Sequence, residues 1–162
     1  MRDDEARMRG AGLYAEDFPV GTRSSMGSYP VTEEEVMAFA RQWDPQFIHT
    51  DPERSVTHGR YGGLIASGIH TVAILQRLQV LARTEHWHVI AGRGIDRLRF
   101  VRPVRPGDVL TGDAVVTELT LEPEQGRGLV VFASRVCNQD GKDVLTMEIS
   151  AYLEMRPAAL PH

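Results

Sequence analysis

Near its C-terminal end the chain alternates apolar and polar residues without interruption. Leu145, Met147, Ile149, Ala151, Leu153 and Met155 take one set of positions, and Thr146, Glu148, Ser150, Tyr152 and Glu154 the other. A period of two is that of a half-buried β-strand. Leu98 and Phe100 alternate in the same way with Arg97, Arg99 and Val101. Residues 109–119 and 128–138 are further strands, the first preceded by the turn RPGD and the two separated by EPEQGR. NQDGK closes the last hairpin. No helical pattern fits between these later strands, and parallel strands would require such crossovers. The sheet is therefore expected to be antiparallel.

Two helices precede it, after a short strand near residues 22–30. In the first, TEEEVMAFARQW, Thr32 can cap the N-terminus and Glu35 completes a capping box. Val36, Phe39, Ala40 and Trp43 give that helix one apolar face, and it delivers the chain to Asp44. Pro45 disfavours helical geometry at Asp44, so the helix is expected to break there. The second helix is expected over residues 63–84, buried on more than one face, with Gly63, Ala66, Ser67 and Gly68 allowing close approach of a ligand or another backbone. One long buried helix wrapped by antiparallel strands makes the fold class α+β.

The chain has 162 residues, 42% of them apolar, enough for one compact domain. The expected boundaries are a flexible segment at 1–12, a single domain at 13–155 and a short tail at 156–162. A net charge of -4 with interspersed signs offers no footprint for nucleic acid or an anionic membrane. No stretch has the length and apolarity of a signal peptide or membrane span, and Cys137 stands alone, which fits a reducing compartment. A cytoplasmic location follows as the expectation. EHWH at 85–88 lacks a third metal ligand and reads as a surface loop, so no metal is expected. His70, on the second helix, reads as a satisfied core histidine.

Asp44 and His49 lie five positions apart in QWDPQFIHTDP, a segment broken by Pro45 and Pro52. A chain reversal between Phe47 and His49 would bring the two side chains together. Taken singly, Asp44 is a good turn residue and His49 a loop-edge histidine. Together, a carboxylate and an imidazole can hold one water and move protons on one face of a substrate.

Three stretches, DPQFIHTD (44–51), YGGLIASGIHT (61–71) and LRFVRPVRPGDVL (98–110), resemble the MaoC-like dehydratases in order and separation. That family includes the R-specific enoyl-CoA hydratases and has the hotdog fold, an antiparallel sheet wrapped around a long central helix. Its hydratase pattern is Asp, any residue, Asn, Pro, an aliphatic residue and His. Asp44 and His49 keep that offset, whereas Gln46 and Phe47 replace the Asn and Pro. A branch reading Asp-Pro-Gln-Pro-aromatic-His is closer, and Phe47 departs from it as well. Ser67 stands where the family commonly has His.

The resemblance implies reversible addition of water to a 2-enoyl thioester with R stereochemistry. It implies Asp44 and His49 as the acid-base pair, and Ser67 and Gly68 at the thioester, with a backbone N–H near Gly68 facing its oxygen. Coenzyme A or acyl carrier protein would enter only as part of the substrate, with no other cofactor, and the chain would form at least a homodimer with joined sheets. Two rivals share the fold: an acyl-CoA thioesterase with Asp44 as general base, and a non-catalytic acyl-thioester-binding subunit. Arg93, Arg97, Arg99, Arg102 and Arg105 read as a solvated face, with contact to coenzyme A phosphates as the alternative. Arg54 and Arg60 flank the pair and could meet a substrate carboxylate.

Overall fold

The computed structural model describes residues 11–158, so nearly all of the expected flexible segment and residues 159–162 of the expected tail lie outside it. Five antiparallel strands form one sheet: β1 (Arg23–Pro30), β2 (Val89–Phe100), β3 (Val109–Glu122), β4 (Arg127–Cys137) and β5 (Asp143–Glu154). Their spatial order is β1-β3-β4-β5-β2. The hairpin between β4 and β5 turns at Gly141, whose φ of 70° suits glycine, while the Asn138 side chain accepts from the N–H groups of Asp140 and Lys142. β2 occupies a sheet edge and bulges three times against β5.

Between β1 and β2 run α1 (Glu33–Trp43), two short helices α2 (Phe47–Thr50) and α3 (Pro52–His58), and α4 (Gly68–Leu81). The Thr32 hydroxyl accepts from the Glu35 N–H at 3.2 Å and so caps α1 as expected, but the Glu35 carboxylate accepts from the Tyr29 and Thr32 hydroxyls and does not complete the expected capping box. Val36 and Ala40 are fully buried and Phe39 partly, but Trp43 is 67% exposed. Trp43 therefore leaves the expected apolar face, because the helix ends beside it and the chain turns away.

Helix α4 crosses the sheet with Ile74, Leu75 and Leu78 buried against it. Burying side chains of this size contributes about 1.5–3 kcal/mol each. At Gly112 on β3, a Cβ would come within 2.7 Å of Met26 Sδ and 3.3 Å of Leu75 Cδ1, so glycine is what lets the helix pack this closely. The helix is shorter than expected. Residues 63–67 form an irregular connection, in which the N–H groups of Ile65 and Ala66 donate to the carbonyls of Ile48 and Val104. Leu64, Ile65 and Ala66 are buried there without being helical. On the other side of α4, Ile69, Val80 and Leu81 remain exposed, so burial covers less of this helix than its composition suggests.

The segment 85–88 is a surface loop only in its first half, where Glu85 and His86 are exposed. Leu13 and Trp87 form a parallel bridge, the Trp87 ring packs against Phe18 and Phe132, and His88 is 9% exposed and stacks on Tyr14. Trp87, the aromatic residue between the two histidines, anchors the second half of this stretch to the core.

Candidate active site

Asp44 terminates α1, its N–H donating to the Ala40 carbonyl at 2.8 Å. Pro45 and an extended Gln46 then redirect the chain, and α2 begins at Phe47. The reversal thus lies at residues 44–46, earlier than expected, and one helical turn carries His49 inward until it is 5% exposed. Ser55 Oγ donates to the Phe47 carbonyl at 3.0 Å, which ties α2 to α3.

The His49 ring is held by its other nitrogen. Nδ1 lies 2.7 Å from the Ile65 carbonyl oxygen, which can only accept, so Nδ1 carries a proton and Nε2 is the nitrogen left to exchange one. That Nε2 faces Asp44 Oδ2 at 3.4 Å. The two atoms are too close for a water to lie between them, but a water seated to one side of the pair is within reach of both.

Asp44 is fixed from two further directions. Gln46 Nε2 donates to Oδ1 at 2.8 Å, and Ser67 Oγ donates to Oδ2 at 2.7 Å. The Gln46 amide first, and then the Ser67 hydroxyl, holds the Asp44 carboxyl below its usual range, with the nearby His49 adding to the effect and burial opposing it. Gln46, read from the sequence as a departure at the Asn position, is thus a partner of the carboxylate. The Ser67 hydroxyl, placed at the thioester by the resemblance, gives its hydrogen to Asp44.

Ser67 also caps α4, accepting from the Ile69 N–H at 3.3 Å. Gly68 is the first residue of the helix, where N–H groups lack intrahelical partners and the dipole favours negative charge. The Phe100 ring lies over it: a Cβ on Gly68 would fall 2.5 Å from Phe100 Cζ. His49, Tyr61, Ile65, Gly68, Phe100 and Arg102 line one cleft. Sequence reasoning assigned no site role to Phe100, Tyr61 or the Ile65 carbonyl, because only the fold brings them beside residues far from them in the chain.

The arginines divide. Arg102 and Arg105 donate to the carbonyls of Asp143 and Tyr61, both at 2.7 Å, and Arg97 pairs with Glu148 at 3.1 Å. Arg54 lies over the Phe47 ring at 4.4 Å, and Arg60 is exposed. His70 is 6% exposed and stacked on Phe39, yet its Nδ1 has no hydrogen-bond partner among the described residues. It is a core histidine, though not the satisfied one expected, and burial pushes its pKa down with Glu35 opposing. Among the described residues no three His, Cys, Asp or Glu side chains are grouped to hold a metal ion, and no helix is long and apolar enough to cross a membrane.

Known proteins resemble this chain in sequence and in fold. The uncharacterized protein YdeM of Bacillus subtilis is 31% identical over 86% of this chain and 97% of its own length. The crystal structure of a MaoC-like dehydratase from Rhodospirillum rubrum superposes with a TM-score of 0.79 at 35% identity, covering 90% of this chain and 99% of that one. Unliganded R-hydratase PhaJ1 from Pseudomonas aeruginosa gives 0.70 at 26% identity, covering 94% and 96%. The fold is the hotdog α+β fold of these proteins. The model of the MaoC like domain matches residues 18–133, and this chain belongs to that family.

Proposed function

We propose that this protein is a hydro-lyase that reversibly adds water to the double bond of a 2-enoyl thioester. The observation that carries the reading is the pair His49 Nε2 and Asp44 Oδ2, converging across 3.4 Å. A water bound beside the pair would lose one proton to it as the water oxygen attacks the β-carbon, and a proton would be returned to the α-carbon on the same face. Enolate charge developing on the thioester oxygen would meet the Gly68 N–H at the start of α4. Such a donor is typically worth ~2.7–4 kcal/mol of barrier. Ser67 and Gln46 act as positioning residues that keep Asp44 ionised and oriented. The named activities of the dehydratase and R-hydratase among similar structures agree with this reaction and with R stereochemistry.

The acyl carrier would be coenzyme A or acyl carrier protein, with no further cofactor, in fatty-acid metabolism in the cytoplasm. Arg102, which lines the cleft, is the candidate contact for carrier phosphates. A second copy of the chain would pair along β2, whose outer edge is open and whose Ile90, Ile95 and Phe100 are exposed, as is Ile69 on α4.

The test is a panel of short and medium 2-enoyl-CoA thioesters, following loss of the conjugated double bond and release of free thiol in parallel. Wild type should lose the double bond without thiol release. Asp44→Asn and His49→Ala, folded by circular dichroism, should each lose activity by roughly 10²–10⁴-fold. Thiol release as the main reaction would reassign the protein to thioester hydrolysis. Binding without turnover by any member of the panel would reassign it as a binding subunit.

A further inference from the structure

The ring of Phe100 meets the backbone of Gly68 tip first. A Cβ on that glycine would fall 2.5 Å from Phe100 Cζ, 2.6 Å from Cε1 and 2.8 Å from Cε2, so the ring tip stands directly against the first residue of α4. The strand fixes where the ring starts. Phe100 pairs with Leu145 of β5 at the end of β2, and the N–H of the next residue, Val101, donates to the Val144 carbonyl at 2.8 Å. Leu145 and Val144 are both buried, which anchors this end of the strand.

Phe100 and Gly68 line the same cleft as His49. The Cβ position and the amide nitrogen of Gly68 are each one bond from its Cα, so an oxygen accepting from that N–H at about 2.9 Å sits beside the ring tip. The thioester group and the ring therefore share one small space.

Resting on the hydratase reading, we propose that Phe100 is a specificity-determining residue that restricts the protein to 2-enoyl thioesters unbranched at the α-carbon. With the thioester oxygen on the Gly68 N–H, the β-carbon must turn toward His49 and Asp44, where the water is handled. The α-carbon joins those two points and passes beside the ring. A hydrogen on it fits there, whereas a methyl group overlaps the ring tip, and overlap in a closely packed site is costly. Gly68 has no side chain that could move aside. The outer side of Phe100, 55% exposed in the single chain, lies on the edge proposed for a second copy, whose cover would keep the ring from swinging out.

The experiment compares kcat/KM for 2-butenoyl-CoA and 2-methyl-2-butenoyl-CoA, which differ only in the α-methyl group, in wild type, Phe100→Leu and Phe100→Ala. 2-Hexenoyl-CoA, extended at the far end of the acyl chain, is the control. Branching also lowers the intrinsic reactivity of the substrate, equally for every variant, so the change in ratio between variants is what is read. Phe100→Ala should move the ratio toward the branched substrate by about tenfold to a hundredfold, the worth of one methyl group in a fitted site, and Phe100→Leu by less. The ratio of butenoyl to hexenoyl thioester should not follow it. Circular dichroism checks folding, and Phe100→Leu carries the test if Phe100→Ala does not fold. A branched-to-unbranched ratio unchanged in the folded variants, or a hexenoyl ratio that moves with it, overturns the inference and leaves the hydratase reading standing. If wild type hydrates no enoyl thioester, that reading fails, and calorimetry of butanoyl-CoA against 2-methylbutanoyl-CoA tests the wall by itself. Weaker binding of the branched thioester by wild type, lost in Phe100→Leu, supports it, and equal binding of the two, or binding of neither, overturns it.

Discussion

Ser67 Oγ lies 2.7 Å from Asp44 Oδ2, joining the cap of the central helix to a carboxylate 23 positions earlier in the chain. That one bond couples the helix start, where the thioester oxygen would sit, to the group that would handle the water. It also stabilises the ionised form of Asp44, as does the Gln46 amide.

The pH-rate profile should report these two bonds. With Asp44 acting as a carboxylate, activity is lost as pH falls through its lowered pKa. Removing a donor raises that pKa, so Ser67→Ala should move the acid limb of kcat/KM to higher pH, and Gln46→Ala should move it further. Conformational stability from Asp44 has the same sign: it is present above the unfolded carboxylate range near ~3.9 and is lost as pH falls through the lower folded value. An acid limb unchanged in both variants would separate Asp44 from the rate-limiting proton step.

Gly68→Ala should fail for a reason that can be measured. A Cβ there would meet the Phe100 ring at 2.5 Å, and overpacking of this kind costs about 1–3 kcal/mol. Phe100→Ala removes the obstacle, so Gly68→Ala should add little destabilisation in that background. Denaturant unfolding of the four proteins in a double-mutant cycle gives the answer, and simple additivity would exclude the ring as the cause.

His70 should make stability depend on pH near neutrality. Its folded pKa is lowered by burial, so below the ordinary histidine value of about 6.5 the unfolded chain binds a proton that the folded protein resists. Stability therefore falls as pH drops through that value toward the folded pKa, and levels off below it. His70→Phe, which keeps a ring against Phe39, should remove this slope. Urea melts between pH 5 and 8 compare the two proteins, and identical slopes would assign the effect elsewhere.

The edge of β2 supplies a test of assembly. Ile95 is 50% exposed in the single chain, where lysine costs little. If a second copy covers this strand, Ile95→Lys places charge in a buried interface and should shift the protein to monomer at micromolar concentration by sedimentation velocity. A wild-type monomer, or a dimer unaffected by the substitution, would remove β2 as the joining edge.

Strands β1, β3, β4 and β5, the cap of the first helix and the pairing of Asp44 with His49 were legible in the chain because each rests on a short-range rule, whereas most of β2, an exposed and bulged edge strand, was not. Alternation fixes which side chains share a face, Thr32 and Glu35 sit within one helical turn, and Pro45 breaks α1 at the residue before it. The start of α4 was not legible, since apolar residues at 64–66 satisfy a helical pattern equally well as a buried irregular connection. What placed them there are hydrogen bonds from Ile65 and Ala66 to the carbonyls of Ile48 and Val104, partners supplied by distant segments. Packing likewise exposed Trp43, buried half of Trp87, laid Phe100 over Gly68 and gave the Ser67 hydroxyl to Asp44. Sequence by itself determined the local conformations and the chemical groups available. Tertiary structure decided which of those groups meet, because contacts between residues far apart in the chain depend on how whole elements pack and leave no periodic trace in the sequence.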